Sequence, residues 1–207
     1  MQARKPPWSI VKDRAALLVV DMQNDFVREG AIMEVPMARE RIPQMRRLVA
    51  FSRESGIPVL YTQHVLYNTF QVSPLEVAYQ PGLEQDGMRS ESSGVAVVGE
   101  LAPAPGEIII RKHRYDAFYN TQLETVLRNI RGPGVVDTLI IVGTVTNICC
   151  ESTARSAFMR DFKVVFVSDA NGALNPASHE ASLATIGSVF GRVVATDHLI
   201  KALEQGS

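Results

Sequence analysis

The sequence predicts an α/β fold, a three-layer αβα arrangement of Rossmann-like type built on a six-stranded parallel sheet. Three observations predict it. Short apolar or β-branched runs recur along the 207 residues, segments of helical spacing alternate with them, and polar residues stand directly behind several of the runs. Repeated strand and helix is the signature of a parallel sheet, whose strands are covered on both faces and so read as continuous apolar stretches.

The predicted strands span residues 16–20, 58–62, 107–111, 138–142, 164–168 and 193–196. Each is β-branched or aliphatic and reads as buried on both faces. The predicted helices cover 37–55, 121–130, 147–160, 178–190 and 197–203. The Gly/Pro cluster Arg131-Gly132-Pro133-Gly134 reads as a helix stop ahead of the fourth strand. Residues 67–105 break the rhythm with several prolines and glycines and the polar string Arg89-Ser90-Glu91-Ser92-Ser93. This stretch reads as a long excursion over the sheet edge with a short helix near 75–79. Long loops of this kind often carry binding functions. No repeat and no linker divides the chain, so residues 1–207 are expected to form one domain.

Charge and cysteine content narrow the function classes. The formal net charge is −1, from 21 basic and 22 acidic side chains. Such a balance gives no electrostatic footprint for nucleic acid or an anionic membrane, and a small-molecule partner is expected instead. Arg4 and Lys5 are followed by Pro6, Pro7 and Trp8 rather than by a leader's apolar core, and no apolar run is long enough to span a bilayer. A cytoplasmic protein is the expectation. The two cysteines, Cys149 and Cys150, are adjacent, which rules out a disulfide framework and a zinc site built from spaced Cys pairs.

Ligands of open parallel sheets sit beyond the carboxyl ends of the strands. Asp21 follows the first run, Lys112 the third, and Gly143 ends the fourth and opens the turn toward Cys149; Asp169 follows the fifth. An acid, an amine and a thiol at one sheet edge have a common chemical use. A nearby cation and the first turn of a helix both lower a thiol's pKa and turn it into a nucleophile. With Thr146 as N-cap of a helix from Asn147, Cys149 falls in that first turn, where unpaired backbone N–H groups can hold an oxyanion. Other readings stay open for each residue taken alone: a small buried hydrophobe for Cys149, a solvated charge for Lys112, a turn cap for Asp21. Cys150, about 100° further round the helix, suits packing into the sheet. Asp169 reads as a cap on the Ala170-Asn171-Gly172 turn.

Three segments carry a resemblance: Leu18-Val19-Val20-Asp21-Met22-Gln23-Asn24-Asp25-Phe26, Lys112-His113-Arg114-Tyr115-Asp116-Ala117-Phe118, and Gly143-Thr144-Val145-Thr146-Asn147-Ile148-Cys149-Cys150-Glu151-Ser152-Thr153-Ala154-Arg155. In this order and on these strand ends, the sequence resembles the isochorismatase-like cysteine hydrolases, which include nicotinamidases, N-carbamoylsarcosine amidohydrolase and ureidoacrylate amidohydrolase. The resemblance covers nearly the whole chain. It implies a catalytic triad of Asp21, Lys112 and Cys149, an oxyanion hole from the N–H groups of Thr146 and Cys149, and a cis Val145–Thr146 bond. It implies hydrolysis of a small carboxamide, ureido or carbamoyl compound through a thioester, with ammonia released, no cofactor, and a homo-oligomer, commonly a dimer or tetramer.

Two departures bear on the substrate. Nicotinamidases carry a metal-binding Asp and two His after the second strand; here the segment reads Tyr61-Thr62-Gln63-His64-Val65-Leu66-Tyr67, with one His and no Asp, so no metal is expected. True isochorismatases act without the cysteine, so Cys149 argues against vinyl-ether cleavage. Gln23, Phe26, His64, Tyr115 and Phe118 are candidates for substrate contact, Tyr119 for the same wall, and Arg111 and Arg114 for a substrate carboxylate. The rival readings are a catalytically silent interaction protein on the same fold, an isochorismatase- or nicotinamidase-type hydrolase, a Cys149–Cys150 redox pair, and a nucleotide-binding protein. The last lacks a glycine-rich phosphate loop after Val20 or Val142.

Overall fold

A computed structural model describes residues 6–66 and 73–205. Its six strands are β1 (Ala15–Val20), β2 (Val59–His64), β3 (Ile108–Lys112), β4 (Thr138–Thr144), β5 (Lys163–Gly172) and β6 (Gly191–Val194). They form one sheet in the order β3-β2-β1-β4-β5-β6, with every pairing parallel. The order reverses beside β1, which pairs with β2 on one side and β4 on the other. That reversal opens a crevice at the carboxyl ends of β1 and β4, where Asp21 and Cys149 follow.

Alternation along β1 splits the core in two. Ala15, Leu17 and Val19 face one layer with Met45, Leu48, Leu199 and Leu203, whereas Ala16, Leu18 and Val20 face the other with Leu123, Leu127, Ala154 and Ala157. The first layer is α1 (Asn24–Val27), α2 (Pro36–Glu40), α3 (Ile42–Glu54) and α8 (Thr196–Gln205). The second is α5 (Leu123–Asn129), α6 (Glu151–Phe158) and α7 (Pro176–Thr185). A short helix, α4 (Pro74–Tyr79), lies within the excursion. Burying each of the Leu, Ile and Val side chains of β1 and β4 stabilises the sheet by about 1.5–3 kcal/mol.

Several expectations are corrected. The helix expected over 37–55 is two: α2 closes at Arg41, and Pro43 in the first turn of α3 has no N–H to continue the earlier ladder. β3 is not buried on both faces. It is the sheet edge, and Ile109 and Arg111 are exposed. β5 does not stop at Ser168 but runs on to Gly172, and Asp169 turns away from the turn it was expected to cap. Its Oδ1 accepts from the backbone and hydroxyl of Thr196, both at 2.8 Å, and so caps α8. The start of the expected excursion, 67–72, lies outside the described residues, while its predicted short helix is α4. Among the described residues no helix is long and apolar enough to cross a membrane.

Candidate active site

Asp21 sits immediately past β1 with a backbone φ of 48°. This left-handed conformation is uncommon for a side-chain-bearing residue, though Asp tolerates it better than most. Next to it, Gly143 has a φ of 126°, and a Cβ there would lie 2.1 Å from the Val20 carbonyl. Only glycine lets β4 pass so close to the residue that precedes Asp21. Thr62 fixes the aspartate from β2: its hydroxyl accepts the Asp21 N–H at 3.0 Å and donates to Asp21 Oδ1 at 2.5 Å.

Lys112 closes β3 and is fully buried. Its Nζ lies 2.6 Å from Asp21 Oδ2, 3.1 Å from the Arg114 carbonyl, 3.5 Å from His64 Nδ1 and 3.6 Å from Cys149 Sγ. An ammonium has only donors, so His64 Nδ1 is the acceptor toward Lys112, and the other ring nitrogen, Nε2, faces the opposite way. That nitrogen stands 3.3 Å from Glu76 Oε1 of α4. Five side chains from five parts of the chain thus form one buried row: Cys149, Asp21, Lys112, His64 and Glu76. Burial alone would push the ammonium to lose its proton. The charge and hydrogen bond of Asp21, with the contact to Cys149, outweigh burial and raise the Lys112 pKa.

The thiol moves the other way from expectation. Burial raises the Cys149 pKa, Lys112 opposes that rise, and the Asp21 charge adds to it. A cation shared with a carboxylate 2.6 Å away has little left for a sulfur 3.6 Å away. The resting form is therefore a thiol beside an ion pair, with a base already at hand. Burial likewise raises the pKa of Cys150, which is wholly enclosed in the second core layer.

The turn that presents Cys149 also differs in detail from expectation. Thr146 is not the N-cap. The helical path starts there as one wide turn over Thr146–Cys150 that continues into α6, and Val145 precedes it with its carbonyl accepting from Ile148 and Cys150. The Thr146 hydroxyl is spent instead on His179 Nδ1 at 3.0 Å. The cis bond is Thr144–Val145, one residue earlier than expected. The pairing of β4 accounts for the shift: Thr144 is still held to Gly172, and Val145 already belongs to the next turn, so the chain changes direction between them.

The remaining candidates divide. Tyr115 lies with its ring centroid 6.0 Å from that of His64, and burial, with Glu76 and Cys149 nearby, raises its pKa to about 12. Gln23 is occupied: its amide donates to the His64 carbonyl at 2.9 Å and accepts the His64 N–H at 2.7 Å, clamping β2 to the Asp21 loop. Phe26 is buried in the first core layer, and Phe118 packs on Phe162 beneath Arg160. Tyr119 is exposed, as is Arg111. Arg114 bonds the His113 carbonyl through Nη1 and lines a cavity of about 280 Å³ with Ser73, Leu75, Glu76, Tyr79 and Tyr115. Sequence reasoning missed Glu76 and Thr62. A polar residue inside β2 was a usable signal for Thr62; a single Glu in a short helix gave none for Glu76.

Asp21, His64 and Cys149 have ligand-type atoms within 4.8 Å of one another. The Lys112 ammonium lies 2.6 Å from Asp21 Oδ2, 3.5 Å from His64 Nδ1 and 3.6 Å from Cys149 Sγ, so these three groups already share one buried cation.

The Isochorismatase domain matches residues 15–198. The chain belongs to the isochorismatase family. Within it, the chain is 34% identical to ureidoacrylate amidohydrolase RutB of Methylobacterium radiotolerans, over 93% of this chain and 81% of that protein. A cysteine hydrolase from Pseudomonas syringae superposes with a TM-score of 0.91 at 32% identity over the full length of both chains. N-carbamoylsarcosine amidase from Thermoplasma acidophilum gives 0.74 at 27%, covering 89% of this chain and 97% of that one. For this isochorismatase-family chain the match runs from β1 to the start of α8 and includes every strand that carries the site.

Proposed function

We propose that the chain is a cysteine-dependent amidohydrolase that attacks the carbonyl of a small ureido, carbamoyl or carboxamide compound with Cys149 and releases ammonia. Its amidohydrolase character follows from the family and from the ureidoacrylate amidohydrolases that match at about 30% identity over nearly the whole chain. The observation that carries the assignment to residues is the buried convergence of the Asp21 carboxylate, the Lys112 ammonium and the Cys149 thiol.

The chemistry follows from the resting charges. Asp21 takes the thiol proton as sulfur bonds to the substrate carbonyl carbon, so the thiolate exists only while it attacks. The Lys112 ammonium stays charged throughout and stabilises both the carboxylate and the developing thiolate. The oxyanion is read as bound by the backbone N–H groups of Thr146 and Cys149 at the start of the helical turn. Collapse expels ammonia, which leaves with the proton that Asp21 holds, and an acyl group remains on Cys149. Water then gives its proton to Asp21 and attacks the acyl carbon, and the acid product departs as the thiol recovers its proton.

Ammonia release from N-carbamoyl amino acids, ureidoacrylate-like compounds, biuret-like compounds, maleamate and nicotinamide tests this reading. Turnover of at least one, abolished in Cys149→Ala, is expected. No release from any of them contradicts it.

A further inference from the structure

Four acceptors surround the Lys112 ammonium, and an ammonium has three N–H groups. Asp21 Oδ2 at 2.6 Å and the Arg114 carbonyl at 3.1 Å pair with two of them. The third is shared between His64 Nδ1 at 3.5 Å and Cys149 Sγ at 3.6 Å. Asp21, Lys112, His64 and Cys149 are all buried, so the protein itself supplies the acceptors. The placement of His64 is built from three sides. His64 and Lys112 are register partners on β2 and β3, and their side chains leave the sheet on one face. The Gln23 amide brackets the His64 backbone, donating to its carbonyl at 2.9 Å and accepting its N–H at 2.7 Å. Behind the imidazole stand Glu76, with Oε1 3.3 Å from Nε2, and the Tyr115 ring, 6.0 Å away between centroids. Nδ1 is thereby aimed at the one cation that also faces the reacting sulfur.

We propose that His64 is a positioning residue that acts through Lys112: its Nδ1 holds the third N–H of the ammonium while Cys149 is a thiol and yields it to the sulfur as the thiolate forms. The proposal rests on the amidohydrolase reading. A thiol sulfur is a weak acceptor and an imidazole nitrogen a good one, so at rest the third N–H belongs to His64. A thiolate is a charged acceptor, and charge-assisted hydrogen bonds are about twice as strong as neutral ones, which reverses the order. As Asp21 takes the proton of Cys149, negative charge passes from the carboxylate to the sulfur and the N–H turns to follow it. No bond to the lysine nitrogen breaks, and the ammonium keeps its three protons. The nucleophile is thereby kept as a thiol until Asp21 deprotonates it against a bound carbonyl. With the His64 acceptor removed, the third N–H has Cys149 alone to point at, and the thiolate is favoured before any substrate arrives.

Alkylation of Cys149 by iodoacetamide in the substrate-free protein tests this, with the label located by peptide mass and all proteins compared at one pH near neutrality. His64→Leu removes the acceptor at similar volume. His64→Asn keeps one, because its amide oxygen stands where Nδ1 stands in histidine. The expected result is a labelling rate about tenfold or more above wild type in His64→Leu, and within about threefold of wild type in His64→Asn, as the loss of one hydrogen bond from a charged donor requires. Simple loosening of the site gives the opposite order, since asparagine is the smaller side chain and opens more space. An unchanged or slower rate in His64→Leu overturns the proposal, and so does a rise in His64→Asn equal to or above that in His64→Leu. His64→Phe, which keeps a ring and loses both nitrogens, carries the same expectation as His64→Leu and replaces it if thermal unfolding shows that the leucine variant has lost its fold. Labelling needs no substrate, so it decides the role of His64 separately from turnover: absence of ammonia release by the wild type fails the amidohydrolase reading, and the rates of the variants still uphold or overturn the hold on the ammonium.

Discussion

Two buried histidines, His64 at the end of β2 and His179 within α7, separate structure from function. His179 of α7 has both ring nitrogens engaged, Nδ1 with the Thr146 hydroxyl at 3.0 Å and Nε2 with the Ser168 carbonyl at 3.1 Å. Burial lowers its pKa, Glu180 opposes that and Arg41 adds to it, and the ring is a neutral bridge between layers. His64 sits between a lysine at 3.5 Å and a glutamate at 3.3 Å, longer contacts than those of His179. Its Nε2 and the nearby Glu76 Oε2 are buried without a well-formed hydrogen bond among the described residues. Fully bonded polar groups such as those around His179 hold a fold together. The two sites lie on either side of the turn that presents Cys149.

Substitutions break this comparison most sharply at the triad. Cys149→Ala is expected to lower kcat/KM by about 10⁴-fold or more with little change in stability. Lys112→Met removes the cation from a buried pair and is expected to cost activity on that scale and, in addition, about 3–5 kcal/mol of stability in denaturant titration, because Asp21 is left buried and uncompensated. An active Lys112→Met enzyme would refute the role given to the ammonium.

The histidines should respond in opposite currencies. His179→Ala leaves the Thr146 hydroxyl without its partner and is expected to lower unfolding stability by about 1–3 kcal/mol while ammonia release is retained. His64→Gln disturbs the contact with the Lys112 ammonium and is expected to lower kcat/KM, with a smaller effect on stability. The reverse pattern would dissolve the distinction. Cys150→Ala, by contrast, trims one buried sulfur from a core position and is expected to cost about 1 kcal/mol or less of unfolding stability, with turnover retained.

The pH dependence sharpens the account further. Glu76 has a folded-state pKa below its ordinary value, so its contribution to stability is full above the ordinary carboxylate range and is lost as pH falls through the lowered pKa. Glu76→Gln is expected to flatten the acid limb of the stability curve measured by thermal unfolding. Cys149 has a raised pKa, so in the substrate-free enzyme its alkylation is expected to be slower near neutrality than that of a free peptide thiol and to accelerate only at pH above the ordinary thiol range. Fast labelling at neutral pH would mean a preformed thiolate.

Much of the fold was legible in the sequence because burial on both faces leaves an unbroken apolar run, and β1, β2, β4 and β5 carry one each. Asp21, directly behind β1, was legible for the same reason, whereas Lys112 at the end of the edge strand β3 and Cys149 in the turn beyond β4 were legible from the segments that resemble the family. What was not legible depends on contacts between distant segments. Thr146 looked like a cap and bonds His179 instead, and Asp169 looked like a turn residue and caps α8. Glu76 belongs to a short helix with no apolar periodicity, and its burial follows from His64, twelve residues earlier on another element. The sign of the Cys149 shift was missed because the lysine was counted as the thiol's partner before its competing partner, Asp21, had a distance.

The central claim is that Cys149 carries the acyl group while Asp21 and Lys112 manage the proton and the charge. Acid-quenched mass spectrometry of the enzyme during turnover of a substrate that releases ammonia tests it directly. The expected result is an adduct equal to the substrate less one ammonia, located on Cys149 and absent in Cys149→Ala. Steady ammonia release with no adduct under rapid quench, or an adduct on Cys150, would contradict it.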